Sequence, residues 1–322
     1  MTWLRKYAAF ISKNYQMIII SIVIFSLLLG IWYPNPGKWI KSYSSYLMFF
    51  MIYFMSIMVV PREFVEILKK PAGTLAGLLF NFIVMPIICL IIAKLLISNN
   101  LLSTGMILIG VVPCAGMNAV WTGLLEGDIG LAMSIGASTM FIAPFIIPYL
   151  MFLFAGAYVK INTFMMFKKL LVLLLIPLIL GTLTRVLMDK YIPKKKVMAN
   201  LRIFPSLSAT IAIILMFAIC NSAMPMIIKQ YKLIPTLILA VILIFPLGFE
   251  IPYLITKRIF DYEPAIAITY SSGMKNLPIA MGIAFSSFPK LVGLPIALSF
   301  IFQMLTASTF YKIIQKKRSQ QS

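Results

Sequence analysis

Tyr270-Ser271-Ser272-Gly273-Met274-Lys275-Asn276 interrupts an apolar stretch otherwise long enough to cross a bilayer. A second interruption of the same kind, Val112-Pro113-Cys114-Ala115-Gly116-Met117-Asn118, lies roughly half the chain earlier. Each sets Gly-Met and an amide side chain, with small polar residues close by, inside apolar sequence. Spans interrupted at matching places in two halves are the best sequence pointer to a solute site within a membrane.

The chain around them has 322 residues, 61% hydrophobic and 11% charged, with a mean hydropathy of +1.01. A water-soluble domain of this length cannot hide so much apolar surface, so the class is an all-α polytopic membrane protein. The net charge of +20 is read as basic loops facing a cytoplasm and an anionic leaflet, with no nucleic-acid partner. Arg5, Lys6 and Lys13 precede an apolar run that continues to Tyr33, too long for a signal-peptide core and without a small-residue cleavage site, so the first helix is expected to remain as an anchor. Cys89, Cys114 and Cys220 form no metal-ligand spacing, and histidine is absent. No cofactor or metal is implied.

A span needs about 20 mostly apolar residues. Ten stretches qualify, approximately 15–33, 43–60, 74–97, 101–125, 129–155, 164–188, 203–222, 232–255, 263–287 and 291–312. Turn signals join several of them: Pro34-Asn35-Pro36-Gly37, Pro71-Ala72-Gly73, Glu126-Gly127-Asp128 and Ile192-Pro193-Lys194. One set of loops (the N-terminus, 61–73, 126–128, 185–202, 256–262 and the C-terminus) holds eighteen Lys and Arg, among them Arg62 and Lys69. The opposite set holds nine: Lys38, Lys41, Lys94, Lys160, Lys168, Lys169, Lys229, Lys232 and Lys290. This bias predicts both termini in the cytoplasm and a plasma-membrane location. Ten spans divide into five and five, residues 1–160 and 161–322. Because five is odd, a repeated half must be inverted. Met85-Pro86 in the third stretch and Pro246 in the eighth fall at nearly the same half-chain offset, as the two Gly-Met breaks do.

Pro113 removes a backbone donor and Gly116 adds backbone freedom, so the fourth stretch is not a plain helix; Gly273 and Pro278 act likewise in the ninth. Lys275 lies about twelve residues into the ninth stretch, near the bilayer midplane. A lysine there costs about 2.5–3.5 kcal/mol on insertion scales and is expected to face a cavity and have a partner or a task. It reads as an anion-binding or proton-carrying group, or as a structural lysine bonded to helix-end carbonyls. Glu250 is the one carboxylate well inside a stretch, either interfacial and structural or an ion-coupling partner of Lys275. Asn81 and Gln303 are intramembrane amides that hydrogen-bond across helices or line the site.

These residues resemble the superfamily of bile acid/sodium symporters and arsenite carriers, over nearly the whole chain. The resemblance implies ten helices in two inverted five-helix repeats, with broken helices four and nine crossing at the substrate site. It also implies a panel of helices 1, 2, 6 and 7 rocking against a core of 3, 4, 5, 8, 9 and 10. Pro113-Cys114 through Val120-Trp121 and Gly127-Asp128 is similar to the arsenite carriers, whose functional thiol falls at Cys114. Gly273-Met274-Lys275-Asn276 is closer to the bile acid branch, and Asn81-Phe82 with Met85-Pro86 resembles both. The sodium symporters place a glutamate, then Gly-Met-Gln-Asn, in helix nine to bind sodium. Here Ser271 stands at the glutamate and Lys275 at the glutamine, while Ala132 and Gly136 stand at hydroxyl ligands of helix five. A sodium site tolerates no adjacent ammonium, so the expectation is that Lys275 fills the space and charge of the missing ions.

The reading is thus a secondary transporter of a small anionic or metalloid solute, working in a lipid bilayer by alternating access and proton-linked or sodium-independent. Arsenite efflux or conventional sodium coupling stand as alternatives. The candidate site residues are Cys114, Asn118, Lys275, Asn276, Asn81, Ser271 and Ser272. A channel is expected to show repeated polar rings instead of one asymmetric crossing. An intramembrane enzyme is disfavoured because the spans hold no histidine, metal cluster or paired carboxylates, and no nucleotide-binding glycine loop is present.

Overall fold

The computed structural model describes residues 2–58, 70–229 and 231–319. The stretch 59–69, with Arg62, Glu63, Glu66 and Lys69, lies outside the described residues. Fourteen helices are described: α1 Thr2–Trp32, α2 Asn35–Ser42, α3 Ser44–Ser56, α4 Pro71–Leu96, α5 Asn100–Val111, α6 Asn118–Leu124, α7 Ile129–Ala155, α8 Thr163–Tyr191, α9 Lys194–Asn200, α10 Ile203–Lys229, α11 Ile234–Thr256, α12 Tyr262–Gly273, α13 Leu277–Ser287 and α14 Gly293–Ser319. Among the described residues there is no sheet.

Six helices are by themselves long and apolar enough to cross a membrane, and a seventh if Met17–Trp32 and Asn35–Ser42, bent by 112°, count as one. The other three expected stretches fall on shorter apolar helices, Ser44–Ser56, Asn100–Val111 and Leu277–Ser287. Two of the expected turns prove to be helix starts. Pro36 and Pro71 each stand in a first helical turn, where a missing N–H costs nothing. The turn before α7 is a true one: Glu126, and not the adjacent glycine, takes the positive φ of 56°.

The helices fall into two packing groups. In the first, α1 lies parallel to α10, with Ser206 Oγ donating to Ala8 O at one end and Asn221 Nδ2 to Tyr33 O at the other. The second half of α8 closes on α3, where Tyr53 and Thr184 share a hydroxyl bond of 3.1 Å and the half of Arg185 not paired with Asp189 donates to Ile57 O. The second group comprises α4 to α7 and α11 to α14, and one core of aliphatic side chains runs through it and into α1, α3, α8 and α10 of the first. Gly293 abuts Ile219, close to Asn221 and Tyr33. The 27 residues of α14 therefore run from that far face to the face carrying both chain termini.

On the terminal face the second group is tied together by polar contacts. Lys70 pairs with Asp128, the Asp128 amide donates to Glu263 O, and Tyr262 Oη donates to Leu125 O. Arg318 pairs with Glu126 and lies over the Tyr262 ring. Exposed ion pairs of this kind contribute little to stability, so apolar packing carries it here.

Candidate functional site

The site begins with a proline. In α4 the turn Phe80–Val84 is wound as a π-helix, and the Met85 amide donates to Phe80 O, five residues back. In that register the Asn81 carbonyl is due to receive the amide of residue 86, which is Pro86 and has none. Asn81 O is thus left open inside the membrane, where an unsatisfied carbonyl costs several kcal/mol. Lys275 supplies the donor. Its Nζ lies 3.0 Å from Asn81 O and 2.8 Å from Asn81 Oδ1, and both residues are fully buried.

Lys275 reaches Asn81 because two helices break beside it. Val112 precedes Pro113 and is extended, with ψ 157°, which ends α5. Met274 is also extended and ends α12. The two breaks run antiparallel past one another, pairing Cys114 with Lys275. The Ala115 amide donates to Met274 O at 2.7 Å and the Asn276 amide to Pro113 O at 2.8 Å. Groups orphaned by one break are satisfied by the other, the condition for irregular backbone at membrane depth. Gln303 of α14 completes the crossing. Its Oε1 accepts from the Lys275 amide at 2.9 Å and its Nε2 donates to Lys275 O at 3.1 Å.

Around this strap the expected residues divide. Asn118 Nδ2 donates to Ala132 O and to Ser271 Oγ, both at 2.8 Å, and lies 3.5 Å from Cys114 Sγ. Cys114 Sγ also meets Thr139 Oγ1 at 3.4 Å. Asn276 caps α13, accepting from the Ile279 amide at 3.2 Å while its Nδ2 points to Met55 Sδ at 3.6 Å. Ser272 Oγ is buried with no hydrogen-bond partner. Pro278 stands in the first turn of α13. Glu250 does not join the cluster. On α11 it is exposed while its neighbours Gly248 and Phe249 are buried, so helical phase turns it away from the fully buried Lys275.

The two break glycines differ from expectation. Neither has positive φ, so backbone freedom is not what they contribute. Gly273 is a packing residue: a Cβ there would come within 2.5 Å of the Phe249 ring. Gly273→Ala is expected to destabilise the protein by about 1–3 kcal/mol through overpacking, measurable as a lowered unfolding temperature in detergent. Gly116 is the reverse. It is exposed, and among the described residues a Cβ would meet only Met55 Cε at 3.6 Å. Ala115, Gly116 and Met117 thus form a ledge, bare of a side chain at Gly116, beside Met55 of α3.

Sequence reading singled out Gln303 without its clamp on Lys275, and it missed Thr139, Met55 and the stack of Trp121 on Tyr270, whose rings lie 6.0 Å apart and within 4° of parallel. The aromatic spacing gave no sign of that stack, since the partners are far apart in the chain.

Apolar helices packed around two crossed, hydrogen-bonded breaks with a polar centre make a multi-pass membrane transporter. The chain belongs to the sodium bile acid symporter family, whose model matches residues 45–230. It is 24% identical over 315 residues to the uncharacterized sodium-dependent transporter YocS of Bacillus subtilis, an alignment covering 98% of this chain and 94% of that one. The uncharacterized protein YbaS of the same organism is 26% identical over 246 residues, 76% and 79% of the two chains. The probable sodium/metabolite cotransporter BASS1, chloroplastic, of Oryza sativa subsp. japonica is 23% identical over 273 residues, 84% and 65%. The protein is a transporter and not an enzyme.

Proposed function

We propose that this divergent member of the family moves a small organic anion or oxyanion by alternating access, and that Lys275 takes the place of a coupling cation so that flux is sodium-independent or proton-linked. In this reading ten spans form two inverted five-helix repeats, residues 1–160 and 161–322. The panel is α1, α3, α8 and α10; the core is α4 to α7 and α11 to α14. The chain sits in the plasma membrane with both termini in the cytoplasm.

The observation that carries the reading is the bond from the Lys275 ammonium to both oxygens of Asn81. A cation is already held at the crossing by a carbonyl and an amide oxygen, the ligand types that a hard cation uses. The neighbouring position supports the same view. Ser271 offers a neutral hydroxyl, already bonded to Asn118, where the sodium symporters have a carboxylate. Buried Lys275 forms no ion pair among the described residues, so it contributes a positive field to whatever binds in front of the crossing.

Lys275 is turned into the core, so a solute on the Ala115–Met117 ledge senses its charge across the backbone without touching it. The Asn276 amide and the start of α13, with its partial positive end, face the same side. An anion is the solute this arrangement favours. The arsenite alternative finds less support: Cys114 is 2% exposed, its sulfur is engaged by Thr139 and Asn118, and the described residues contain no group of three or more His, Cys, Asp or Glu side chains able to hold a metal ion.

Flux in proteoliposomes with imposed sodium and proton gradients, screened over organic anions, tests the proposal. Wild-type flux is expected to be indifferent to sodium. Gly116→Val is expected to keep the wild-type unfolding temperature and to lose at least roughly tenfold in flux, about 1.4 kcal/mol of lost solute interaction. Sodium-stimulated uptake by the wild type, unchanged in Lys275→Ala, would sink the coupling assignment.

A further inference from the structure

The sequence places nine lysines in the loops and helix ends of the far face, and the fold gathers several of them. A cavity of about 240 Å³ opens where α8 of the first group meets the end of α13, lined by Lys160, Asn162, Lys169, Ser286, Ser287 and Phe288. Lys41 acts electrostatically on both Lys169 and Lys290, and Lys38 also acts on Lys290. Lys41, Lys169 and Lys290 are only half-exposed. None of these five lysines pairs with a carboxylate among the described residues.

Like charges held together in part-buried positions repel, and a fold tolerates that arrangement most readily when an anion joins them. Ser286 and Ser287 bring hydroxyls 3.3 Å apart to the same wall. The first turn of α8, capped by Asn162, turns the partial positive end of a long helix toward the cavity. Lys169 spans the gap, donating to Ser286 O across the seam between the two groups.

We propose that this cavity binds a carboxylate or oxyanion group, held by Lys169 with Lys160 and by the Ser287 hydroxyl, as a recruiting site on the face opposite the termini. An anion held there competes with Ser286 O for the Lys169 ammonium and so loosens one contact across the seam. The site rests on its own residues and stands whether or not Lys275 replaces sodium at the crossing.

Two sources offer such a group, a free solute anion and the phosphate of a lipid headgroup. Lysine acylation followed by mass spectrometry on the full chain in nanodiscs separates them. In phosphatidylcholine discs, sulfate or benzoate is expected to slow modification of Lys169 and Lys160 at least fivefold and saturably, with exposed Lys94 unaffected and chloride at equal ionic strength without effect. Lys160→Gln should weaken that protection severalfold. Protection that needs no added anion and appears only with phosphatidylglycerol in the disc supports the site with a lipid headgroup as its occupant. Absence of protection under both conditions, or equal slowing at Lys94, overturns it.

Discussion

Ser271→Glu combined with Lys275→Gln is expected to make flux dependent on sodium, with roughly tenfold stimulation when a sodium gradient replaces a potassium gradient, worth about 1.4 kcal/mol. Lys275 now donates to Asn81 O and Oδ1. Removing its ammonium frees both oxygens, and glutamate at 271 supplies the anionic ligand that the present hydroxyl cannot. Asn118 stays next to that position, since its Nδ2 already contacts Ser271 Oγ. Each single change is expected to fail for its own reason. Ser271→Glu alone sets a carboxylate near the lysine and invites an internal ion pair instead of a bound ion. Lys275→Ala alone leaves two acceptors without a donor, costing about 1–3 kcal/mol of stability for each unsatisfied group, and flux is expected to fall about a hundredfold with no sodium response. Flux assays of all four proteins under the same imposed gradients decide the matter. A double variant that folds, transports and still ignores sodium contradicts the assignment.

The same comparison shows what the sequence made readable. Apolar stretches of twenty residues and the Pro113 and Gly-Met interruptions are local signals, so helix positions and both breaks could be placed from them. Lys275 was legible as the costly residue at the centre for the same reason. Its partner was harder to choose. Glu250 was attractive by depth along the chain, but depth says nothing about facing, and one helical step separates buried Phe249 from exposed Glu250. The device that selects Asn81 needs two facts together: a π turn, which has no sequence signature, and Pro86 two residues beyond it. The breaks' glycines were assigned conformational freedom because glycine permits it. Packing against Phe249 and exposure beside Met55 are properties of neighbours that the local sequence does not name. Lys38, Lys41, Lys160, Lys169 and Lys290 stand in separate stretches of sequence, and only the fold brings them near one another.

A double-mutant cycle on Lys275 and Asn81 gives the second large effect. Asn81→Leu removes one of two acceptors from a fully buried ammonium and is expected to cost about 1.5–3 kcal/mol, the range for hydrogen bonds to charged groups. Lys275→Met is close in shape but deletes the donor, stranding Asn81 O and Oδ1 at a cost of about 1–3 kcal/mol per group. Replacing both should be milder than the sum. The buried charge is gone and one side-chain acceptor with it, and paired apolar replacements of buried polar partners are often neutral or stabilising. The carbonyl opened by Pro86 then remains unsatisfied, together with Val112 O, which now accepts from Asn81 Nδ2 at 3.3 Å. The expected coupling is about 2 kcal/mol toward stability, within the range seen for residues in direct contact. Thermal unfolding of the four proteins in one detergent measures it. Strict additivity means that Lys275 is held by something other than Asn81. The double variant should also be stable and silent in transport. Such a protein separates the two roles of Lys275, because a lysine that served only to satisfy a carbonyl could be exchanged for packing without loss of flux.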